Sequence, residues 1–282
     1  AASDVYKRQI EDLVCYADVS LQSEMETVRA INKECEKQGK RHKIILMMDL
    51  GDIREGYVDE EELIAAAVET EKLSRVDLYG IGTNLTCFSF IQADEEKMER
   101  LAEMRKKVEN AAGHTLEIVS GGNSAALDLM MRGGIYEGVD NFRLGESLLF
   151  GKERSRYTFL PGTRNDGFIL ECEVVEAKVK PSLPWGTAGV DSYGRKPVFT
   201  DRGEKRKKVI CAIGRQDFDA ETATPVDEGI LILGASSDHL MLDVTDSVKE
   251  YKVGDIVELR LGYFSVLRAF TSPYVEKIFL KK

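Results

Sequence analysis

The strongest constraint on the fold is an alternation of short apolar runs with longer amphipathic runs between residues 10 and 150. The segments KIILMMDLG and TLEIVSGGNS carry apolar side chains at successive positions, as strands that are covered on both faces do. Segments with helical periodicity, such as EMETVRAINKECEKQG, follow these runs. Strands that alternate with helices of this length predict right-handed βαβ crossovers and a parallel sheet. We count five such strands, from YADVSLQS to NFRLGESLLFG.

Polar residues and glycines gather where the predicted strands end, which is where parallel α/β folds bind their ligands. The segment VSGGNSAAL, residues 119–127, is one of these ends. Its two glycines allow a tight turn or the close approach of a ligand, and Ser124 is predicted to be the N-cap of a helix. Such a corner attracts anions, most often phosphate. A turn that binds nothing is the alternative.

The number of strands constrains the architecture. A closed (β/α)8 barrel has eight units, and its usual phosphate site is built by the loops after strands seven and eight. If LEIVSGGNS is strand seven and FRLGES is strand eight, the series begins at strand four, and three units, about 90 residues at roughly 30 per unit, are missing. The opening AASDVYKRQ, residues 1–9, resembles a translated sequencing adapter and is predicted to be a non-native leader.

The pattern changes after about residue 165. Short, often alternating runs such as FILECEVVEAKVK and DIVELRLGYF are broken by Gly, Pro and Asp, without a strong helix between them. This pattern is typical of antiparallel strands. We therefore predict a partial TIM-type barrel over residues 10–164, without its first three units, and a C-terminal antiparallel β domain over residues 165–282. The polar segment 191–208 is predicted to be an exposed hairpin.

Composition narrows the partners and the compartment. The chain has 39 basic and 49 acidic residues and a net charge of −10, which argues against nucleic acid or an anionic membrane as the main partner. Its five cysteines are widely spaced and form no CxxC motif, so they are predicted to be reduced thiols of a cytoplasmic protein. No apolar run is long enough to span a membrane, and no signal peptide opens the sequence.

Six motifs in order carry a family resemblance: MDLGDIREG, GIGTNLTC, SGGNSAAL, RLGESLLFG, AIGRQDF and ASSDHLMLDV. Together they resemble the alanine racemase fold of pyridoxal-phosphate enzymes, most closely its alanine/ornithine racemase-like branch. The resemblance extends from about residue 10 to the C-terminus. It implies a barrel that binds pyridoxal 5'-phosphate, followed by a β domain.

The resemblance implies a set of cofactor-binding residues. Ser124 matches the serine that binds the cofactor phosphate, helped by backbone N–H groups near Gly145 and Glu146. Arg143 matches an arginine that faces the pyridine nitrogen and, being cationic, leaves that nitrogen unprotonated. An ion pair between Arg143 and Glu146 is the alternative for this arginine. Asn84 stands in the place of a histidine that lies against the ring, and Asn123 belongs to the same cofactor-binding set.

The substrate and proton-transfer residues follow from the same resemblance. Arg54 matches an arginine near the substrate carboxylate and the ring oxygen, and a surface residue is the alternative for Arg54. Ser237 and Asp238 match positions that face the partner subunit's active site. Arg215 stands where racemases of the alanine type place a tyrosine base, and an arginine is a poor base at neutral pH. His239 is the other candidate for proton transfer. A hydrogen-bonded histidine on a strand is the alternative for His239.

The family's cofactor-binding lysine lies at the end of the first strand, which we expect to be missing here. Lys43, at the amino end of its strand, and Lys152, beyond the last strand, are not credible replacements. The sequence therefore predicts a pyridoxal-phosphate-dependent racemase of an amino acid, of the alanine or ornithine type, whose 282-residue chain is itself inactive. A residue delivered by the β domain to the other subunit implies a homodimer.

Two other functions stay open at this point: a non-catalytic pyridoxal-phosphate-binding protein and another phosphate-binding barrel enzyme. The substrate amino acid is also left open. Three acidic residues are candidates to receive a cationic side chain: Asp217, Asp219 and Asp238. An exposed carboxylate at a strand end is the alternative, and the commoner, explanation for each.

Overall fold

A computed structural model describes residues 9–133, 137–190 and 194–281. The chain divides into two compact units, and the boundary lies between Thr163 and Arg164. Of the predicted leader, residues 1–8 lie outside the described residues.

The first unit alternates helices with the strands of one parallel sheet. Its helices are α1 (Ile10–Tyr16), α2 (Met25–Gln38), α3 (Glu60–Thr70), α4 (Glu95–Ala112), α5 (Leu127–Gly133) and α6 (Glu146–Phe150). Its strands are β1 (Val19–Gln22), β2 (His42–Met47), β3 (Val76–Gly82) and β4 (Ile118–Ser120). They pair side by side in the order β1-β2-β3-β4, and every pair is parallel. The parallel sheet predicted from the alternation is confirmed.

The fifth strand that we predicted at FRLGES is not formed, so this prediction is wrong. The chain there runs beside β4, where Asn141 makes an isolated parallel bridge with Ser120. The N–H groups of Asp140 and Asn141 both donate to the carbonyl of Val119, at 3.1 and 3.2 Å. A regular ladder spreads its hydrogen bonds evenly along the strand, so two bonds to one carbonyl interrupt it. The segment keeps its predicted position beside the sheet without becoming a strand.

Both faces of the parallel sheet are apolar, as the unbroken apolar runs indicate. One face packs against the helices and includes the fully buried Ile44, Leu46 and Ile81. The other face carries a smaller buried cluster of Leu21, Ile45 and Met47. The helical crossovers between successive strands make them parallel, and this brings the carboxyl ends of β2, β3 and β4 to the same edge of the sheet.

A buried histidine makes the stability of the first unit depend on pH. His42, at the start of β2, is 2% exposed, and its Nε2 lies 2.9 Å from Ser20 Oγ. Burial lowers the pKa of His42. The unfolded chain therefore takes up this proton first, and the free energy of unfolding falls as the pH drops below about 6.5, by up to about 1.4 kcal/mol per pH unit. Urea unfolding should show that the advantage of wild type over His42→Gln shrinks as the pH falls from neutral.

His114 is the control with the opposite sign. It is exposed, and its hydrogen bond with Glu71 at 3.0 Å raises its pKa. Its contribution to stability is therefore present in acid and is lost as the pH rises through the raised pKa. An equal pH slope for wild type and His42→Gln would contradict the prediction for His42.

The second unit is a six-stranded antiparallel sheet with one helix. The strands are β5 (Ile169–Lys180), β6 (Arg206–Cys211), β7 (Ala223–Pro225), β8 (Leu231–Ala235), β9 (Leu240–Asp243) and β10 (Ile256–Leu261). They lie in the order β7-β10-β5-β6-β9-β8. The edge strands β7 and β8 come within 8 Å of each other, so the sheet is nearly closed. Residues of β5 alternate between exposed and buried along its first half, as one-sided burial requires.

Two features of this unit differ from the prediction. A helix, α7 (Tyr263–Thr271), follows β10 directly and was not predicted. The switch occurs at Gly262, whose N–H donates to Thr222 O at 2.7 Å and where a Cβ would lie 2.6 Å from that oxygen. The predicted hairpin is also absent, since residues 194–205 are exposed and form no strand, while residues 191–193 lie outside the described residues.

No helix in the part of the chain that the structure describes has both the length and the apolar character needed to cross a membrane.

Candidate active site

The polar residues at the carboxyl ends of β2, β3 and β4 form one hydrogen-bonded network. Asn123, after β4, donates from Nδ2 to Asn84 Oδ1 and to Leu85 O, each at 2.9 Å. Asn84, after β3, donates from Nδ2 to Glu55 Oε1 at 3.1 Å. The same Glu55 oxygen accepts a hydrogen bond from Arg54 Nη1 at 2.9 Å. The fold therefore brings together three residues that the sequence placed in the site and adds Glu55, which it did not.

The corner at residues 123–124 is capped one residue earlier than we predicted. Asn123, not Ser124, is the cap, because its Oδ1 accepts the N–H of Ala125 at 2.8 Å. An amide oxygen caps as well as a hydroxyl does, so the sequence allowed either residue. Ser124 is 4% exposed, and its Oγ instead accepts the N–H of Ser147 at 3.1 Å. This bond ties the start of the 124–126 turn to the start of α6.

Backbone N–H groups beside Ser124 are available to a ligand. The N–H groups of Gly145 and Glu146 make no hydrogen bond to any part of the chain that the structure describes. A Cβ built at Gly145 would meet nothing within 4 Å, so the space in front of this turn is open. Two free donors beside a serine hydroxyl are the usual elements of a phosphate or carboxylate site.

Glu146 does not pair with Arg143, the alternative that the sequence left open. The nearest cation to its carboxylate in an ion pair is Arg154, at 3.7 Å. Burial raises the pKa of Glu146, and Arg154 opposes this shift only in part.

Arg143 is a partly buried cation at the carboxyl ends of β3 and β4. Its Nη2 donates to Thr83 O at 2.8 Å, and its Nη1 donates to Ser120 Oγ. Burial lowers the pKa of Arg143, and the nearby Glu55 and Cys87 raise it. A guanidinium keeps its proton even so, because its ordinary pKa is far above neutrality. The site therefore holds a fixed positive charge whose two recorded hydrogen bonds go to neutral oxygens.

Two buried oxygens at this edge of the sheet have no hydrogen-bond partner. They are Glu55 Oε2 and Thr83 Oγ1, and no other buried side-chain nitrogen or oxygen of the described residues is left unpartnered. An unpaired buried polar atom costs about 1–3 kcal/mol, so such atoms are rare unless a ligand or water satisfies them. Glu55 belongs to the network and Thr83 directly precedes Asn84, so the two unpaired atoms mark this edge of the sheet as the place where a polar ligand binds.

Two buried aspartates hold the loops around the network. Asp49 accepts the N–H groups of Gly51, Ile53 and Arg54 at 2.8–3.2 Å. Asp52 accepts the N–H groups of residues 87–89 at 3.0–3.1 Å and so joins the loop after β2 to the loop after β3. Both aspartates stand in the MDLGDIREG motif, but we assigned them no role. An aspartate within two residues of a glycine at a strand end was the available signal.

Backbone strain concentrates in the same two loops. Ile53 and Thr86 have φ values of 54° and 66°, which β-branched residues rarely adopt. Such conformations persist only where the surroundings impose them, and they cluster at functional sites.

The other predicted site residues lie together in the second unit. The N–H of Arg215 donates to Ser236 O at 2.8 Å, and its Nε donates to Ala235 O at 2.8 Å. Asp238 accepts the hydroxyl of Ser237 at 2.8 Å, a bond that lowers the pKa of Asp238. The ring of His239 lies just before β9, with Nδ1 at 3.7 Å from Asp238 Oδ1. The loop before β9 and the segment after β6 thus hold all four residues at one place.

Two acidic candidates for a cationic substrate have partners within the fold. Asp217 is buried and accepts the hydroxyl of Ser272 at 2.6 Å. Asp219 lies 3.8 Å from Arg268. Both are better explained as parts of the second unit's core and surface than as a substrate site.

Comparisons with known proteins bear on the whole chain. A family profile described as "Alanine racemase, N-terminal domain" matches residues 3–153. An ornithine racemase of Acetoanaerobium sticklandii is 45% identical over 269 residues, which are 95% of this chain and 76% of that protein. A lysine racemase of Thermotoga maritima is 40% identical over 270 residues, 96% of this chain and 74% of that protein. These relatives are amino-acid racemases.

Solved structures share the fold at lower identity. An alanine racemase of Clostridium difficile 630 superposes with a TM-score of 0.62 at 20% identity, covering 95% of this chain and 70% of that one. A D-threonine aldolase of Filomicrobium marinum gives a TM-score of 0.64 at 11% identity, covering 94% of this chain and 69% of that one.

Proposed function

Because the chain belongs to the alanine racemase family, we propose that it carries the cofactor and substrate sites of a pyridoxal-phosphate-dependent racemase of a basic amino acid. The named activities of its two relatives, on ornithine and on lysine, support the substrate class. The observation that carries the proposal is the convergence of the partly buried Arg143, the buried Ser124 and the unbonded N–H groups of Gly145 and Glu146 at one sheet edge.

The donors present fit pyridoxal phosphate. Ser124 and the N–H groups of Gly145 and Glu146 would hold its phosphate, and Arg143 would face its ring nitrogen. The unpartnered hydroxyl of Thr83 is a further polar atom that such a ligand satisfies. When bound, the cofactor supplies an electron-withdrawing ring that makes the α C–H of an amino acid acidic.

The chain's own residues then have distinct tasks. Arg143 would keep its protons and donate to the ring nitrogen of a bound cofactor, which would leave that nitrogen unprotonated and make the ring a weaker electron sink. A weaker electron sink favours return of the proton over side reactions. Arg54 binds the α-carboxylate of the substrate. Asn84 and Asn123 hold the cofactor-side loops in place through their shared hydrogen bond.

Racemisation also needs protons removed and delivered on opposite faces of Cα. Of the residues in the second unit, His239 is proposed as a proton carrier, since histidine exchanges protons near neutral pH. Arg215 is proposed to bind the substrate rather than to transfer a proton, because arginine is a poor general base. Ser237 and Asp238 are proposed substrate contacts. The homodimer and the cytoplasmic location stay predictions.

The test uses the 282-residue chain and the longest open reading frame that contains it. We expect the chain to bind pyridoxal phosphate but not to exchange the α-hydrogen of ornithine. Lys43 and Lys152 each contact an aromatic ring. Lys43 Nζ lies 4.3 Å from the Tyr79 ring centre, and Lys152 Nζ lies 4.1 Å from the Tyr157 ring centre. Cofactor binding is measured by fluorescence titration, and exchange by chiral chromatography against a protein-free control.

Each result has a clear meaning. Exchange by the short chain that disappears in Lys43→Ala or Lys152→Ala would show that a dismissed lysine is catalytic. Binding of the cofactor without exchange in the longer protein would favour a non-catalytic pyridoxal-phosphate-binding protein. Failure of both proteins to bind the cofactor would reject the proposal.

A further inference from the structure

Glu55 combines an engaged oxygen with an idle one. Its Oε1 accepts hydrogen bonds from Asn84 and Arg54 at 3.1 and 2.9 Å. Its Oε2 is buried and has no partner among the residues that the structure describes. The hydrogen bonds to Oε1 fix the carboxylate in the network, and Oε2 is a buried acceptor without a donor.

We propose that Glu55 receives the side-chain ammonium of a basic amino acid and thereby sets the substrate preference. This inference rests on the proposed racemase function. A carboxylate oxygen accepts hydrogen bonds and attracts cations, and an ammonium carries three donors without an acceptor. The bond between them is charge-assisted, about twice as strong as a neutral one. Such a substrate satisfies Oε2, whereas an aliphatic side chain leaves it unpaired and desolvated.

The surroundings of Glu55 support this role. Arg54, the proposed α-carboxylate ligand, pairs with its other oxygen, so a cation and an anion stand side by side for a substrate that carries both charges. Glu55 is also close enough to Arg143 to raise the pKa of that guanidinium. It therefore lies at the proposed cofactor site, unlike Asp217 and Asp219, which have partners in the second unit.

The structure offers a competing explanation, in which Glu55 only orients Arg54. The two explanations differ in what they predict for ligands without a side-chain ammonium. If Glu55 orients Arg54, the loss of Glu55 lowers the affinity for every amino acid, because all of them have the α-carboxylate. If Glu55 binds the side-chain ammonium, the loss of Glu55 lowers the affinity only for basic amino acids.

The test is calorimetric titration of the full chain, saturated with pyridoxal phosphate, with four probes: L-ornithine, L-lysine and their uncharged analogues L-norvaline and L-norleucine. The variant is Glu55→Gln, whose amide oxygen still accepts from Arg54 and Asn84 but whose NH2 group replaces Oε2. We expect the affinity for the better of ornithine and lysine to fall on the order of 10- to 100-fold, with the affinity for its uncharged analogue unchanged. Comparing ornithine with lysine gives the preferred chain length.

Glu62→Gln on the exposed face of α3 is the matched control and should change none of the four affinities. An equal loss of affinity for norvaline and for ornithine in Glu55→Gln would overturn the inference in favour of the orienting role. Equal affinity of wild type for charged and uncharged probes would overturn it as well, while leaving the racemase proposal intact. If wild type binds the cofactor but none of the four probes, both the inference and the proposed function fail.

Discussion

Replacing Ser124 with leucine is expected to lower the affinity for pyridoxal phosphate by on the order of 100-fold, by loss of a charge-assisted hydrogen bond and by blocking the neighbouring donors. Ser124 is 4% exposed, and its Oγ lies 3.1 Å from the N–H of Ser147, so a larger side chain has no room without displacing the turn. The adjoining start of α6, which Ser147 ties to Ser124, carries the free N–H groups of Gly145 and Glu146. Fluorescence titration with the cofactor measures the effect.

Ser124→Ala separates the two causes. It removes the hydroxyl but adds no bulk, so we expect a loss on the order of 10-fold. Circular dichroism of each variant shows that the unit remains folded. Cofactor affinity in Ser124→Leu equal to that of wild type would mean that the corner is only a turn, the alternative that the sequence left open.

Replacing Gly80 with alanine is expected to destabilise the first unit by about 3 kcal/mol. Gly80 pairs with Ile118 between β3 and β4. A Cβ at this glycine would lie 2.0 Å from the carbonyl oxygen of Ile118 and 2.9 Å from its carbonyl carbon. Both atoms belong to the backbone, so the two strands must move apart. Urea denaturation followed by far-ultraviolet circular dichroism measures the loss.

Gly113→Ala is the matched control in the same unit. Gly113 has a φ of +81°, and a Cβ there would meet nothing within 4 Å. Only the backbone conformation opposes alanine at this position, at a cost of about 1 kcal/mol. An effect of Gly80→Ala no larger than that of Gly113→Ala would show that β3 and β4 separate easily.

The parallel sheet was predictable because its cause is local in sequence. Unbroken apolar runs such as the IILMM of KIILMM have no solvent-exposed face, and only a sheet that is covered on both sides accommodates them. The position of Arg143 came instead from the family resemblance of the RLGESLLFG motif. The secondary structure at FRLGES was not predictable, because two N–H groups there share one carbonyl, and sequence does not report such a detail.

The site was predictable in its location but only partly in its members. Asn84, Asn123 and Ser124 follow strand ends and carry recognisable turn chemistry. Glu55 and Asp52 act through partners about 30 residues away along the chain, Asn84 and residues 87–89. A charged residue in a loop is most often solvated, so nothing in its own neighbourhood distinguishes Glu55 until the loops are folded together.

The two buried aspartates hold the loops in place through contacts that do not depend on which side chains the loops carry. Asp49 and Asp52 bind only main-chain N–H groups, which every residue except proline provides. Ile53 and Phe88, on these loops, are 74% and 63% exposed. Selection or directed evolution can therefore exchange side chains at these positions on the rim of the site. The loop backbone that carries Glu55 and Arg54 keeps its conformation.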